Sequence, residues 1–450
     1  MRKNVSDMTA GSPSKLIITF AMPLMLGNIF QQLYTMTDAA IVGQFAGSNA
    51  LGALGSADWL CWLVFGVISG FMQGFSILVS QRFGAGDIKG LRRAVSTILI
   101  LAAAVVVAFT AFGLVTTAPL LRLMGTRKEL FGQASGYLRI LYGGIIVTAA
   151  YNLLSSLLRA LGNGRAPLIA MVTASVTNIG LDLVFVVVFK WGVYGAAAAT
   201  VIAQAVASLI CLFAVLRLEQ LRVPRSEFAF DKADARTLVR LASPMAFQNI
   251  LICAGGMAVQ TVINSLGVAY VTGFTATNKL YGLLEAAAIS FGYAITTYTG
   301  QNLGARRLDR IKLGMRRAAL IGFITSLALT GVMFAAGDAC LSLFIEGSAD
   351  PEVMAVASRY LKTMASTLWA LYFLYVYRSA LQGMGDTVMP MVSGLAEGVM
   401  RVSVAWILPR IIGPSGIYFA ESAAWLGAAV ILAISYFRLE RRLETAMPAA

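Results

Sequence analysis

Long apolar runs recur along the whole chain, and each is long enough to cross a lipid bilayer. The runs lie at 15–42, 53–79, 94–118, 134–157, 167–189, 193–216, 238–264, 270–297, 317–338, 359–381, 389–412 and 416–437. A helix needs about 20 apolar residues to cross the hydrocarbon, and these runs lack the alternation of a membrane β-barrel. Hydrophobic residues make up 58% of the chain and charged residues only 12%, which is typical of membrane proteins. We therefore predict an all-α integral membrane protein with twelve transmembrane helices.

Basic residues cluster in alternate loops between these runs. The main clusters lie at 82–93, 217–240, 306–317 and 438–442. Arg2 and Lys3 add positive charge on the side of these basic loops, whereas a loop on the opposite side carries the acids Glu346 and Asp350. Basic loops of membrane proteins face the cytoplasm, so we expect both termini to be cytoplasmic. The net charge of +14 therefore reflects topology, and we expect no nucleic-acid partner.

An internal repeat divides the chain into two halves. Pro23 and Asn28 recur as Pro244 and Asn249, Gln81, Gly84 and Ala85 as Gln301, Gly304 and Ala305, and Leu158, Gly162 and Pro167 as Leu381, Gly385 and Pro390. An even number of spans per half gives both copies one orientation, with a pseudo-two-fold axis along the membrane normal. We predict an N-terminal lobe at 1–216, a cytoplasmic linker at 217–237 and a C-terminal lobe at 238–450.

Several chemistries are excluded by the residues present. The sequence contains no histidine, and its four cysteines lie singly in apolar runs without metal-ligand spacing. The glycine-rich stretches at 84–87 and 162–165 lack the Gly-Lys-Ser/Thr ending of a phosphate-binding loop, so we interpret them as tight turns. No nucleophile, base and orienting group form a visible set. We therefore expect neither an enzyme nor a cofactor.

One acid interrupts the first apolar run, and two polar residues interrupt the fifth. Asp38 near the bilayer centre costs roughly 2.5–3.5 kcal/mol, so an acid there indicates an ion or proton site. Asn178 and Asp182 are four residues apart and share one helical face. The repeat places Ala258 and Ala405 at the positions of Asp38 and Asp182, and this asymmetry favours a functional role over a packing role.

Other polar residues are candidates for the same function. Thr200, Tyr137 and Asn152 could join the acids, and Ala424 replaces Thr200 in the repeat. In the second half, the charges within the runs include Lys279, Glu285, Arg378, Glu397 and Arg401. Glu397 and Arg401 are spaced for an ion pair within one helix. Glu285 has no partner nearby in the sequence. Its carboxylate could bind a cationic substrate or pair with Lys279 or Arg378, and the sequence does not favour one of these alternatives.

Six stretches resemble the multidrug and toxic compound extrusion (MATE) transporters, and the resemblance covers essentially the whole chain. They are PLMLG at 23–27, TDAAIVG at 37–43, QRFGAG at 81–86, RALGNG at 159–164, NIGLD at 178–182 and GVYGAA at 192–197. The resemblance implies two six-helix lobes in a V-shaped, alternating-access antiporter. It would export small organic, often cationic compounds in exchange for protons or sodium ions. The resemblance also implies a monomer in the lipid bilayer of a bacterial inner membrane.

The resemblance is greatest to the DinF-like branch and implies site residues in the first lobe. The coupling ion, H⁺ or Na⁺, would bind at Asp38, Asn178, Asp182 and Thr200. The candidate substrate contacts are Gln31, Tyr34, Tyr137 and Asn152 in the first half. Glu285 in the second half is a further candidate, since it resembles an acid found in some bacterial drug extruders of the family. The additional acids that the NorM-like branch carries in its seventh and tenth spans have no counterpart here, since the seventh span has no acid and the tenth offers Arg378.

Two other functions compete with drug efflux. A flippase for lipid-linked saccharides, from the same superfamily, would need positive charge to bind a diphosphate, and Arg378 and Arg401 could supply it. The acids of the first half argue against that interpretation. A membrane enzyme would need reactive groups, and the sequence offers none in a recognisable arrangement.

Overall fold

The chain folds almost entirely into helices. The computed structural model describes residues 5–345 and 351–447, and within these ranges there is no β-strand. Arg2, Lys3, Glu346 and Asp350 lie outside these ranges. The α-helices are α1 Pro13–Phe45, α2 Ser48–Gly84, α3 Ile88–Leu123, α4 Lys128–Gly143, α5 Ile145–Ala160, α6 Arg165–Asp182, α7 Val193–Leu216, α8 Lys232–Ser265, α9 Val268–Gly304, α10 Leu308–Leu341, α11 Pro351–Ser366, α12 Leu368–Gly383, α13 Val388–Ile412 and α14 Phe419–Ala446. A π-helical turn, Leu183–Val188, follows α6, and short 3₁₀ turns occupy Glu219–Leu221, Arg225–Glu227 and Pro414–Tyr418.

Each of the twelve predicted spans falls on one helix or on a pair of consecutive helices. Within the described ranges, nine helical stretches are long and apolar enough to cross a membrane, and the bent pair α4 and α5 makes a tenth. The two other spans, α9 and the pair α11 and α12, contain charged residues such as Lys279, Glu285 and Arg378. The chain is thus a membrane-spanning helical protein.

Two spans that the sequence predicts as continuous are broken. The run at 134–157 divides at Gly144 into α4 and α5, which meet at a bend of 49°. A side chain at Gly144 would come within 2.5 Å of Val201 on α7, so glycine permits this close approach. The run at 359–381 divides at Thr367, whose hydroxyl lies 2.7 Å from that of Ser422.

The helices form two compact units. The first comprises the described part of Met1–Asp7 together with Met22–Phe247, and the second comprises Met8–Ala21 together with the described part of Gln248–Ala450. In the second unit, the N–H of Met8 donates to Gln301 Oε1 (2.9 Å), and Asn302 Nδ2 donates to the Met8 carbonyl (3.0 Å). The repeated glutamine of the second half therefore binds the segment that leads into α1.

Helix α8 begins at Lys232, within the predicted linker. The Asp231 carboxylate accepts the N–H of Asp234 (2.9 Å), which caps the first turn and holds the pKa of Asp231 below its usual range. Asp234 is buried and forms ion pairs with Arg82 at the end of α2 and with Arg93 on α3. These contacts stabilise α8 within the predicted linker. The arginines neutralise Asp234, and Asp231 accepts one of the N–H groups that the first turn of a helix leaves without a partner.

Candidate ion and substrate sites

Asp38 and Asp182 meet inside the first unit. Asp38 on α1 is 8% exposed, Asp182 at the end of α6 is 0% exposed, and their carboxyl groups lie within reach of a hydrogen bond. Asn178, 1% exposed, stands one turn before Asp182 on the same helix. The structure therefore brings together three of the four residues for which the sequence predicts ion binding.

The polar atoms of this cluster lack partners among the described residues. Neither oxygen of Asp182, neither amide atom of Asn178, nor Oδ1 of Asp38 has a hydrogen-bond partner there. Buried polar groups in proteins are almost always paired, since an unpaired one costs roughly 1–3 kcal/mol. Two adjacent carboxylates also repel each other in a medium of low dielectric. A proton shared by the two carboxyls, or a small cation between them, would relieve both costs.

The other two polar candidates of the first unit, Thr200 and Asn152, lie on α7 and α5. Thr200 is half-buried on α7. Asn152 Nδ2 donates to the Thr148 carbonyl of its own helix (2.9 Å), so its amide is already engaged. Gln204 lies one turn beyond Thr200 and is near Tyr34, which places Thr200 on the face of α7 that is turned toward α1.

Aromatic and amide side chains surround the acids. The Tyr34 hydroxyl lies close to the side chains of Gln31 and Gln204, and Asp38 is near enough to act on it electrostatically. Tyr137 on α4 is 8% exposed and lies near both Asp38 and Tyr34. Two of the candidate substrate contacts, Tyr34 and Tyr137, therefore lie near Asp38, and a third, Gln31, lies beside Tyr34.

The sequence analysis missed two residues of this region. Asp58 on α2 is exposed and lies near Asp38 and Tyr137. It interrupts the second apolar run as Asp38 interrupts the first, so the same argument could have identified it. Gln204 had no comparable signal, because a single amide in an apolar helix is common at packing interfaces.

Glu285 in the second unit has neither of the basic partners considered from the sequence. Its Oε1 accepts a hydrogen bond from the Tyr375 hydroxyl (2.8 Å), and Tyr281 also lies within hydrogen-bonding reach. Lys279 is exposed on the same helix, and Arg378 pairs with Glu397 instead. The predicted alternatives in which Glu285 pairs with Lys279 or Arg378 are therefore wrong. Two tyrosines provide the hydrogen bonds of its carboxyl group instead.

A ladder of four alternating charges lies beside Glu285. Arg378 donates to Glu397 (2.7 Å), Arg401 donates to the other oxygen of Glu397 (2.8 Å), and Arg401 also pairs with Glu421 (2.9 Å). The predicted ion pair of Glu397 with Arg401 is confirmed, whereas Glu421 was missed. The ladder is neutral when all four groups are ionised, so Glu285 is left as the acid without a basic partner.

The donor set at Asp38 and Asp182 suits a proton or a monovalent cation. Across the described ranges, no three His, Cys, Asp or Glu residues are grouped as a transition metal requires. Two carboxylates and a carboxamide instead provide oxygen ligands, which hard cations prefer. Asn178 and Asp182 could supply these oxygens from one helix face, and Asp38 from a second helix.

Comparison with known proteins gives the family. A model of the MatE family matches residues 23–184 and 244–407. The chain is 29% identical over 438 residues to the probable multidrug resistance protein YpnP of Bacillus subtilis, with 97% of each protein covered. It is 27% identical to the DNA damage-inducible protein F of Escherichia coli, over 78% of this chain and 76% of that protein.

A solved structure shares the fold. The crystal structure of MATE in complex with MaL6 superposes with a TM-score of 0.93 at 23% identity, covering 99% of this chain and 100% of that one. The match of the family model spans well over half of the chain, in two segments that follow the internal repeat. The chain belongs to the MatE family, whose members are membrane transporters and not enzymes.

Proposed function

We propose that this protein is a secondary active multidrug efflux antiporter that exports organic cations in exchange for protons or sodium ions. The names of its relatives as multidrug resistance proteins support the substrate class, and transport in the family is ion-coupled. The observation that carries the proposal is the buried, unpartnered pair Asp38 and Asp182. Such a pair needs a ligand that neutralises it, and a coupling ion is that ligand.

The coupling ion binds at Asp38, Asn178 and Asp182, with Thr200 as a further oxygen ligand when sodium is the ion. A proton requires only the two carboxyls, whereas sodium requires several oxygens around it. Coupling follows if the ion binds one conformation of the transporter more tightly than the other. Efflux that collapses with a proton ionophore indicates proton coupling, and efflux that stops on removal of sodium indicates sodium coupling.

The substrate contacts divide between the two halves of the chain. Gln31, Tyr34 and Tyr137 adjoin the ion site, and Asn152 extends the same region through its half-buried side chain. Glu285 attracts the positive charge of the substrate. The positive and negative charges of the neighbouring ladder cancel, so the ladder does not neutralise Glu285. The tyrosines beside Glu285 offer faces that bind organic cations.

The organisation of the molecule follows the repeat. The lobes are 1–216 and 238–450, joined through 217–237, and the protein is a monomer with both termini on the cytoplasmic side of the bacterial inner membrane. Single cysteines introduced near either terminus would react with an impermeant maleimide only after the membrane is opened. Labelling in intact cells would contradict this orientation.

Substitution of the two acids tests the ion site. In proteoliposomes loaded with ethidium, Asp38→Asn and Asp182→Asn should each abolish transport driven by the ion gradient, because an amide cannot carry the exchanged charge. Asp309→Asn, at an exposed acid paired with Arg307, is the matched control and should transport normally. Normal gradient-driven transport in both site variants, with wild-type folding by thermal unfolding, would refute the proposal.

The flippase interpretation has lost its main support. Arg378 and Arg401 are both paired with glutamates in the buried ladder, so neither presents an uncompensated charge to a diphosphate. The acids of the first unit would repel such a substrate as well.

A further inference from the structure

A π-helical turn follows directly on Asp182. Helix α6 ends at Asp182, and Leu183–Val188 continues it with wider turns. The N–H of Phe189 accordingly donates to the carbonyl of Val184, five residues back, at 2.9 Å. Turns of this kind are rare, weaker than α-helix, and concentrated at functional sites. The direction in which Asp182 projects therefore depends on how this turn is held.

Gly195 of α7 holds the turn from one side. A Cβ atom at Gly195 would lie 3.0 Å from Phe185 Cβ, 3.1 Å from its carbonyl carbon and 3.2 Å from its oxygen. These contacts are tighter than nearly all real Cβ contacts, and two of the three atoms belong to the backbone of the turn. A side chain at 195 would therefore displace the backbone three residues after Asp182.

Aromatic rings hold the turn at its far end. The ring of Phe185 stacks on Trp191 with centroids 5.0 Å apart and on Phe189 at 6.0 Å. The N–H of Trp191 also donates to the Phe185 carbonyl at 2.9 Å. Phe185 is thus fixed by α7 on one side and by its own C-terminal neighbours on the other.

We propose that Gly195 and the π-helical turn position the Asp182 carboxylate against Asp38, which makes Gly195 a positioning residue for ion coupling. The inference rests on the proposed role of Asp182 as an ion ligand. A shift of a few tenths of an ångström at Phe185 changes the separation of the two carboxyls, because Asp182 lies within one helical turn of Phe185 while Asp38 is held on α1. The substrate contacts Tyr34 and Tyr137 lie on other helices and keep their places.

The test compares two glycines close to the same site. Gly195→Ala pushes on the turn, whereas Gly180→Ala, two residues before Asp182, adds a methyl group into open space. We would measure ethidium antiport in proteoliposomes as a function of the concentration of the coupling ion, together with the KM for ethidium. Gly195→Ala should change the ion concentration for half-maximal transport about tenfold and leave the KM unchanged, and Gly180→Ala should change neither.

Phe185→Ala provides a second route to the same result. It removes the ring that anchors the turn without adding an atom, so it should also shift the dependence of transport on ion concentration. If Gly195→Ala does not fold, Phe185→Ala alone tests the positioning role. Wild-type ion dependence in the folded variants, or an equal shift in Gly180→Ala, would overturn the inference. If Asp182→Asn transports normally, the ion site itself is wrong; if it abolishes coupling while Gly195→Ala and Phe185→Ala behave as wild type, only the positioning role is wrong.

Discussion

Asn178 is the residue at which function and stability oppose each other most directly. Its side chain is 1% exposed, and both atoms of its amide lack partners among the described residues. A group that served packing alone would be replaced at no loss by an apolar side chain of similar volume. We interpret the cost of its burial as the free energy that an ion recovers on binding.

Asn178→Leu should therefore stabilise the protein and impair its transport. Removing an unpaired amide of this burial should raise the free energy of unfolding by about 1 kcal/mol. Thermal unfolding in detergent and antiport in proteoliposomes would measure the two effects. Ser175→Ala on the same helix is the control, because the Ser175 hydroxyl already donates to the Met171 carbonyl (2.9 Å) and its loss should bring no stabilisation. A destabilised Asn178→Leu would assign the amide to packing.

Glu397 should be the most sensitive acid of the second unit. Its two oxygens serve Arg378 and Arg401, and its side chain is 6% exposed. Glu397→Gln leaves two buried guanidinium groups undercompensated, which should cost about 3–5 kcal/mol of unfolding free energy. Glu421→Gln should cost less, since Glu421 is 20% exposed and has one arginine partner. Equal losses in both variants, measured by denaturant titration, would show that the ladder is not organised around Glu397.

At the scale of helices, close packing depends on particular glycines. On α2, a Cβ atom at Gly74 would lie 2.4 Å from Ala242 Cα of α8, whereas one at Gly55 would meet nothing within 4 Å. Gly74→Ala should therefore lower the free energy of unfolding by about 1–3 kcal/mol through overpacking. Gly55→Ala should leave it unchanged or slightly raised, because alanine favours helix. A Gly74→Ala protein as stable as Gly55→Ala would mean that α8 moves aside freely.

The helices were largely predictable from the sequence, but their irregularities were not. Apolar runs locate each span because the bilayer demands them, yet helices such as α3 extend beyond the run at both ends, where charged residues remain helical outside the hydrocarbon. The breaks at Gly144 and Thr367 and the π-helical turn after Asp182 depend on contacts between helices. Asp38, Asn178 and Asp182 were predictable because a buried acid or amide is costly, whereas Gln204 and Glu421 acquire meaning only through their neighbours.

At the scale of the whole molecule, the two halves share a fold but not their polar residues. The first unit contains the acids Asp38 and Asp182 without basic partners, and the second contains a charge ladder with Glu285 beside it. The repeat explains the common architecture, since each half must cross the same bilayer. The differences fall on side chains that the bilayer disfavours. On the proposed function, we expect the ion to bind in the first half and the positive charge of the substrate to be recognised by Glu285 in the second.

Binding measured without transport would separate these tasks. Glu285→Gln should weaken the binding of ethidium to detergent-purified protein about tenfold, because the amide cannot neutralise the cation. Asp38→Asn should retain binding and lose its dependence on the coupling ion. Lys279→Gln, at an exposed residue on the same helix as Glu285, is the control and should bind as wild type. If Asp38→Asn abolishes binding and Glu285→Gln does not, the cation is recognised in the first half, and the acid of the second half has another role.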